Sequence, residues 1–196
     1  MYNTQISNLD AIDWLKTLDS SSVDLVITDP PYESLEKHFE ELLIEIYRVL
    51  KKDSHFYLFC DQETMFVIKP IAEKIGFKFW KPIVWDKVAI GMGYHYRARY
   101  EFILFFEKGK RKLNNLSIPD ILVEKRIVRG YPTEKPVNLA KVLIEQSTRE
   151  NEIIIDPFCG AGFVGVAAKL LNRKFYGNDI NLEAIKIATD RLKQAV

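Results

Sequence analysis

Short, almost uninterrupted apolar segments alternate with longer amphipathic segments along this chain, and this alternation restricts the fold more than any other feature. Continuous apolar segments are typical of strands that are covered on both faces, as in a parallel sheet. We predict strands at residues 2–7, 23–28, 55–60, 78–85, 100–107, 153–156 and 174–178. The sequence therefore predicts an α/β fold whose doubly wound sheet is mostly parallel.

Amphipathic helices are predicted between these strands. The segment 34–52 places its apolar residues on one helical face, namely Phe39, Leu42, Leu43, Ile46, Val49 and Leu50. A second helix is predicted to end at Gly76, a third to begin with Pro136, and a fourth to begin near Asn181. The stretches without clear periodicity are 86–98 and 108–130.

Length and composition favour one compact domain. The 196 residues are 47% hydrophobic, which is enough to bury a core without disulfides. The chain has no run of about 18 uncharged apolar residues and no signal-peptide pattern at its start, so we expect neither a membrane span nor secretion. Cys60 and Cys159 stand alone in apolar segments, which is typical of a reducing, cytoplasmic compartment. His38, His55 and His95 are scattered without a cysteine pair, so we predict no metal site.

The charge of the chain is unevenly distributed. Residues 86–130 contain ten Lys or Arg and five Asp or Glu, so this segment carries +5 in a chain whose net charge is +1, which leaves −4 for the remainder. A basic segment on a mildly acidic body is typical of a contact with a polyanion. A solvated charged loop explains the same charges equally well.

A glycine-rich turn follows the predicted strand at 153–156. Gly160, Gly162 and Gly165 form the pattern G-x-G-x-x-G between this strand and a predicted helix. Glycines at such a turn let the backbone approach a ligand closely, and the following helix N-terminus carries about half a positive charge. Asp179 ends the next strand, where a carboxylate can bind the two hydroxyl groups of a ribose. The pattern favours an adenosine-containing cofactor over a purely structural turn.

The residues before this turn bear on which cofactor it binds. They read Asp156-Pro157-Phe158. An acid here can pair with the amino group of an amino-acid-like cofactor, whose carboxylate the helix N-terminus can meet. This combination suits S-adenosylmethionine better than NAD, and a nicotinamide enzyme is the alternative.

The predicted strand at 23–28 runs directly into Asp29-Pro30-Pro31-Tyr32. Open α/β sheets bind ligands at the carboxyl ends of their strands, and the prolines hold the loop carbonyls outward. The Asp29 carboxylate and the Pro30 carbonyl can each accept one N–H of an exocyclic amine, while Tyr32 can stack on the ring. Holding both N–H groups draws the nitrogen lone pair out of conjugation, which makes it nucleophilic toward a methyl group on a sulfonium. A proline turn with a capping acid is the alternative interpretation.

These motifs resemble those of the amino-group DNA methyltransferases, which modify adenine N6 or cytosine N4. The segments that carry the resemblance are ISNLDAIDWLKTL, DLVITDPPY, YPTEKPVNLAKVLI, IIIDPFCGAGFVG and FYGNDINLEAI. The resemblance is to the group in which the DPPY loop precedes the glycine loop, and it implies a Rossmann-like methyltransferase fold with permuted motif order. Asp at the first position of the DPPY loop is typical of the adenine enzymes, whereas the cytosine enzymes more often have Ser.

The resemblance implies roles for individual residues. The predicted catalytic residues are Asp29, Pro30, Pro31 and Tyr32. The predicted cofactor contacts, from the motifs and the resemblance together, are Asp10, Ala11, Asp29, Thr133, Lys135, Asp156, Phe158, Gly160, Gly162 and Asp179. Among these, the resemblance implies that Asp10 holds the adenine of S-adenosylmethionine and that Thr133 and Lys135 lie near the cofactor.

The chain departs from the family pattern in three places. The glycine loop reads GAGFV, without the usual small hydroxyl residues, and Tyr131 replaces a histidine. The region that recognises the target sequence in relatives is short here, at about 108–130. We therefore expect one catalytic domain over 1–196 with a short basic DNA-contacting insertion near 86–130. Phosphate contacts are predicted at Arg97, Arg99, Lys110, Arg111 and Lys112.

We expect an S-adenosylmethionine-dependent enzyme that methylates the N6 amino group of adenine in DNA. Three alternatives stay open from the sequence: methylation of cytosine N4, of RNA or of a protein amide; a non-catalytic subunit of a larger modification complex; and a nicotinamide enzyme. The expected partner is DNA, with a second copy of the chain or a separate specificity subunit as further candidates.

Overall fold

The computed structural model describes residues 4–31, 38–128 and 134–195. Its strands are β1 (Thr4–Ser7), β2 (Val23–Thr28), β3 (Leu50–Cys60), β4 (Lys78–Asp86), β5 (Tyr100–Lys108), β6 (Ile121–Val123), β7 (Ile153–Asp156) and β8 (Lys174–Asn178). Its helices are α1 (Ala11–Thr17), α2 (Phe39–Val49), α3 (Gln62–Ile75), α4 (Val137–Ser147), α5 (Phe163–Leu170) and α6 (Leu182–Gln194).

All eight strands form one sheet in the order β1-β8-β7-β2-β3-β5-β4-β6. Neighbouring strands are parallel, except that β5 runs antiparallel to both β3 and β4. The chain proceeds from β2 to β3 on one side, while β7 and β8 lie on the other side. This reversal of strand order between β2 and β7 opens a crevice at the carboxyl ends of the parallel strands, where such sheets bind ligands. The predicted α/β fold with a mostly parallel, doubly wound sheet is confirmed.

Two apolar cores lie on opposite faces of the sheet because the side chains of each strand alternate between faces. Val26, Phe56 and Leu58 pack against α1, α2 and α3 on one face. Ile27 and Tyr57 pack against α4 and α5 on the other. Every residue of β2 is buried, which explains why the predicted central strands show continuous rather than alternating apolar character.

The helix ends agree closely with the sequence signals. α3 ends one residue before Gly76, whose φ of 122° is a conformation that L side chains rarely adopt. The Asn181 side chain caps α6 by accepting from the N–H groups of Glu183 and Ala184. Pro136 is the residue before the first turn of α4 rather than the first helical residue. Leu50 ends the apolar face of α2 but belongs to β3.

Two strands differ from the sequence-based expectation. β3 begins at Leu50, whereas a strand is predicted from residue 55. β6 is not predicted, because its three residues are too few for a periodic pattern and its Ile121 and Val123 side chains are exposed. Within the basic segment 86–130, the strands β5 and β6 belong to the sheet and are therefore built into the fold rather than added beside it. Among the helices of the described ranges, none has the length and apolar character to cross a bilayer.

Candidate active site

A cavity of about 990 Å³ opens at the carboxyl ends of the parallel strands. Residues that follow the ends of six strands line it: Asp29 after β2, Asp61 after β3, Lys87 after β4, Arg126 after β6, Phe158 to Ala161 after β7, and Asp179 to Asn181 after β8. Glu101, near the start of the antiparallel β5, reaches the same edge. A smaller cavity of about 390 Å³ adjoins it and shares the lining residues Pro31, Phe158 and Ile180.

The three glycines of the turn after β7 have different roles. A Cβ on Gly160 would meet no atom within 4 Å, and this residue lines the larger cavity. A Cβ on Gly162 would lie 2.9 Å from the Cβ of Ala188, and one on Gly165 would lie 2.6 Å from the Phe175 ring. Only Gly160 of the three therefore leaves space for a ligand, while Gly162 and Gly165 allow close packing of α5 against α6 and β8.

Asp179 connects the end of β8 to this turn. Its carboxylate accepts from the backbone N–H of Gly160 and of Asn181, both at 2.8 Å, and the residue lines the larger cavity. The neighbouring Asn178 side chain is buried and bonds to the backbone of Leu9 and Pro157. These bonds hold the ends of β1, β7 and β8 together, as a preorganised binding site requires.

Asp10 and Ala11 line the smaller cavity at the start of α1. The Asp10 side chain caps this helix by accepting from the N–H groups of Ile12 and Asp13. The cap fixes the Asp10 carboxylate beside this cavity, on the side where β1 and β8 end. The predicted contacts at Asp10, Ala11 and Asp179 thus surround one continuous pair of cavities.

The residues of the loop after β2 are found beside the same cavities. Asp29, Pro30 and Pro31 line the larger one. The carboxylate of Asp29 accepts a hydrogen bond from the ammonium of Lys135, which precedes α4. Tyr32 and Thr133, two further residues predicted for the site, lie outside the described residues.

Lys135 is enclosed on several sides. Its side chain is only 7% exposed, and its Nζ lies 5.5 Å from the ring centroid of Phe59 and 6.0 Å from that of Trp85. Glu101 Oε2 is 3.5 Å from the same Nζ. Glu101 and Trp85 are not among the predicted site residues, because an acid and an aromatic residue within apolar strands are typical of ordinary sheet positions.

Asp156 lies beneath the glycine turn and lines neither cavity. It is fully buried, and its Oδ1 accepts from the Thr28 hydroxyl and from the N–H of Phe158. Burial raises the pKa of Asp156 to about 8, although the bond from Thr28 opposes the shift. This geometry supports a role in shaping the turn and differs from the predicted direct pairing with a cofactor amino group.

We expect Asp156→Asn to stabilise the ligand-free protein increasingly as the pH rises. A carboxyl whose pKa is raised on folding from 3.8 to about 8 contributes stability that is complete below pH 4 and lost as the pH rises through 8. Asn keeps the acceptor for Thr28 and Phe158 but cannot ionise. The midpoint of thermal unfolding should be measured for Asp156→Asn and for wild type at pH 5 and at pH 9. The advantage of the variant over wild type should be larger at pH 9 by about 4 °C or more, which corresponds to about 1–2 kcal/mol of unfolding free energy. A difference that is independent of pH would contradict the buried ionisation.

The five predicted phosphate contacts lie in two groups at opposite ends of strand β5, and therefore at the two edges of the sheet where strands begin and end. Arg97 and Arg99 belong to the segment between β4 and β5, at the edge with the cavity, and Arg99 is held there by two bonds to Asp86 of 2.6 and 2.7 Å. The other three follow the far end of β5, namely Lys110, Arg111 and Lys112. A strand of nine residues separates them from the cavity edge, a distance of about 27 Å.

Contacts at this far edge confirm the separation. Lys108 pairs with Ser54 in the sheet, and the N–H of Lys110 donates to Asp53. The Arg111 guanidinium pairs at 2.9 Å with Glu152, which directly precedes β7. These basic residues are therefore not brought together with the loop after β2. Charge counting along the sequence cannot detect this, since it depends on the antiparallel direction of β5.

The cavity residues fit S-adenosylmethionine. Gly160 leaves open space at the helix N-terminus, and Asp179 presents a carboxylate at the end of the neighbouring strand. The adjoining cavity of about 390 Å³ beside Asp10 and Ala11 offers further space for a flat ring. No group of His, Cys, Asp or Glu within the described ranges could hold a metal ion.

Comparison with known proteins identifies relatives over nearly the whole chain. A family model described as DNA methylase, covering N6 and N4 methyltransferases, matches residues 23–128 and 112–190. The Type II methyltransferase M.HpaI of Haemophilus parainfluenzae is 32% identical over 93% of this chain and 72% of its own length. The DNA adenine methyltransferase YhdJ of Escherichia coli K12 is 29% identical over 95% of this chain and 81% of its own.

A solved structure shares the fold at a similar level of identity. The M1.HpyAVI–SAM complex has a TM-score of 0.81 and 26% identity, and the match covers 96% of this chain and 98% of that one.

Proposed function

This chain belongs to the family of N6 and N4 DNA methylases, and within that family we propose that it transfers a methyl group to the N6 amino group of adenine in DNA. Its cofactor is S-adenosylmethionine, which removes the nicotinamide alternative. One observation carries the proposal: the loop Asp29-Pro30-Pro31 and the cofactor-type residues Gly160 and Asp179 line a single cavity.

Within this cavity Asp29 and Pro30 provide acceptors for the target amine. Tyr32, which lies outside the described residues, is the ring that we propose to stack on the target base. The Asp29 carboxylate and the Pro30 carbonyl each accept one N–H of the amine, which localises the lone pair on nitrogen. S-adenosylmethionine, when bound, supplies an electrophilic methyl group on a sulfonium. The target base must leave the duplex to reach Asp29, at a cost of a few kcal/mol. Stacking on Tyr32 offsets about 1–3 kcal/mol of that cost.

The two adjoining cavities support the following proposal for the cofactor contacts. We assign the adenine ring to the smaller cavity beside Asp10 and Ala11, and the ribose hydroxyls to Asp179. The methionine part then lies against Gly160 in the larger cavity, next to the Asp29 loop. Phe158, which lines both cavities, separates the two halves of the cofactor.

Adenine is favoured over cytosine by the acid at position 29 and by the similarity to YhdJ, a DNA adenine methyltransferase. Adenine N6 and cytosine N4 present the same N–H pair to an Asp-Pro acceptor, so only product analysis separates them. The purified chain should be incubated with labelled cofactor and DNA, RNA or protein in parallel. Label in DNA, recovered as N6-methyladenine, supports the proposal, and label recovered as N4-methylcytosine or only in RNA or protein rejects it.

The same assay separates an enzyme from a non-catalytic subunit. We propose that the purified chain is active alone, as one catalytic domain. Activity that appears only after a second protein is added would instead favour a subunit of a larger complex. Activity that rises steeply with the concentration of the chain would favour a homodimer.

DNA contacts are proposed at the cavity edge rather than across the whole basic segment. Arg97 is exposed in the segment between β4 and β5, and Arg126 is exposed and lines the cavity. Arg99 is also at this edge, but its bonds to Asp86 give it a role in holding the segment. We therefore propose that Arg97 and Arg126 contact phosphates on either side of the extruded base.

We expect Arg97→Gln with Arg126→Gln to weaken DNA binding at every sequence, because phosphate contacts carry no base information. The slope of log K against log salt should fall by about 1.8, since each lost contact removes about 0.9. Fluorescence anisotropy at several salt concentrations measures the slope. The matched pair Lys110→Gln with Lys112→Gln removes equal charge at the far edge and should leave the slope unchanged. If the second pair lowers the slope instead, Lys110 and Lys112 contact DNA phosphates, as the sequence predicts.

A further inference from the structure

Four charged side chains form one line along the wall of the larger cavity. Lys135 donates to Asp29, and its Nζ lies 3.5 Å from Glu101 Oε2. Glu101 Oε1 in turn accepts from Lys87 at 2.9 Å. All four residues line the cavity, and each comes from a different segment of the chain. Acid and base alternate along the line, so it is neutral as a whole.

Lys135 is the most enclosed cation of this line. Its side chain is 7% exposed, compared with 19% for Lys87. Removing an ammonium from water costs several kcal/mol unless anions compensate for the lost hydration. Asp29 and Glu101 provide that compensation, with the rings of Phe59 and Trp85 on the remaining sides.

The two carboxylates hold this ammonium differently. Asp29 accepts a hydrogen bond from it, whereas Glu101 Oε2 stands at ion-pair distance. This oxygen of Glu101 is buried and accepts no hydrogen bond from any residue in the ranges 4–31, 38–128 and 134–195. A movement of the Lys135 ammonium by less than about 1 Å would bring it into hydrogen-bond range of Glu101.

We propose that Lys135 exchanges Asp29 for Glu101 during the catalytic cycle and that Glu101 is thereby a positioning residue for methyl transfer. The inference rests on the proposed function, in which Asp29 accepts an N–H of the target amine. While Lys135 donates to Asp29, part of the acceptor strength of this carboxylate is directed away from the amine. Once Glu101 receives the ammonium, Asp29 is available to the amine and Lys135 still has an anionic partner.

The first test is Glu101→Gln, which keeps the size of the side chain but offers Lys135 a neutral acceptor. Hydrogen bonds to charged acceptors are about twice as strong as those to neutral ones, so Lys135 should stay with Asp29. The single-turnover rate at saturating DNA and cofactor should fall about 10- to 30-fold. Calorimetric affinities for S-adenosylmethionine and DNA should stay within a few-fold. A normal single-turnover rate would overturn the proposal.

A double-mutant cycle separates this role from simple damage to the fold. If Glu101 acts through Lys135, adding Glu101→Gln to Lys135→Met should change the rate by less than about 2-fold. If Glu101→Gln lowers the rate by the same factor in the wild-type chain and in Lys135→Met, the proposal is overturned. Should Lys135→Met fail to fold, Glu101→Asp provides the comparison, because it keeps the charge with a shorter reach. The proposal then requires Glu101→Asp to be faster than Glu101→Gln, and the reverse order would contradict it.

Glu107→Gln is the matched control on the same strand. Its carboxylate is buried at the far end of β5, where it accepts from Trp80 Nε1 and from the N–H of Arg111. This variant should lower the midpoint of thermal unfolding but leave the single-turnover rate within about 2-fold of wild type. An equal loss of rate in both variants would assign the effect to strand damage and overturn the proposal. Absence of DNA methylation by the wild-type chain would reject the proposed function, whereas an active wild type with an additive cycle would reject this inference alone.

Discussion

Asp29→Ala is expected to reduce methyl transfer by at least about 100-fold, by analogy with the loss caused by removing one preorganised hydrogen-bonding group from a reaction centre. The carboxylate lines the cavity beside Pro30 and accepts a hydrogen bond from Lys135. Alanine removes the acceptor for one N–H of the amine and returns the lone pair to conjugation with the ring. Rapid-quench measurement of a single turnover isolates the chemical step from product release.

Affinity for S-adenosylmethionine provides the control for this variant. Asp29 is assigned to the target amine, so calorimetric titration should give a dissociation constant within a few-fold of wild type. Asp29→Asn keeps a neutral acceptor oxygen at the same position and should be faster than Asp29→Ala. A near-normal turnover for Asp29→Ala would show that another group activates the amine.

Asp179→Ala is expected to weaken S-adenosylmethionine binding by about 1.5–3 kcal/mol, which is roughly 10- to 150-fold, because the ribose hydroxyls lose a charged acceptor. The same carboxylate accepts from the N–H groups of Gly160 and Asn181, so its loss also loosens the glycine turn. Glu183→Ala, in the first turn of α6, removes an acid of the same segment that does not line either cavity. Titration should show normal affinity for Glu183→Ala, and an unchanged affinity for Asp179→Ala would remove this residue from the cofactor site.

The sequence predicts the central strands well because burial on both faces leaves a direct trace in composition. β2, β7 and β8 have the predicted bounds, since each is short, contains buried apolar residues and is followed by polar residues or a turn. β6 leaves no such trace, because it is itself an edge strand that pairs only with β4 and two of its three side chains are exposed.

The glycine pattern is predictable as a turn, but the separate role of each glycine is not. The space beside Gly162 is filled by Ala188 of α6, and the space beside Gly165 by Phe175 of β8. Both neighbours are distant in sequence, and their contacts depend on how the helix and strand pack. The pattern alone therefore cannot distinguish the ligand-facing Gly160 from the two packing positions.

The positions of the charged residues also depend on contacts between segments that are distant in sequence. Glu101 follows Tyr100 at the start of an apolar strand, and nothing nearby in the sequence indicates that it meets Lys135. That meeting requires β5 to run antiparallel, which turns its first residues toward the cavity edge. The same reversal carries Lys110 and Lys112 to the opposite edge. The antiparallel direction of β5 thus adds Glu101 to the site and removes these two lysines from it.

The most direct measurement of the central claim is nucleoside mass spectrometry of DNA from a methylation-free host that expresses the wild-type chain or Asp29→Ala. We expect N6-methyldeoxyadenosine with the wild-type chain and its loss with Asp29→Ala at equal protein level. N4-methyldeoxycytidine in place of the adenine product would contradict the proposed target. N6-methyldeoxyadenosine that persists at an equal level with Asp29→Ala would contradict the proposed catalytic role of the cavity.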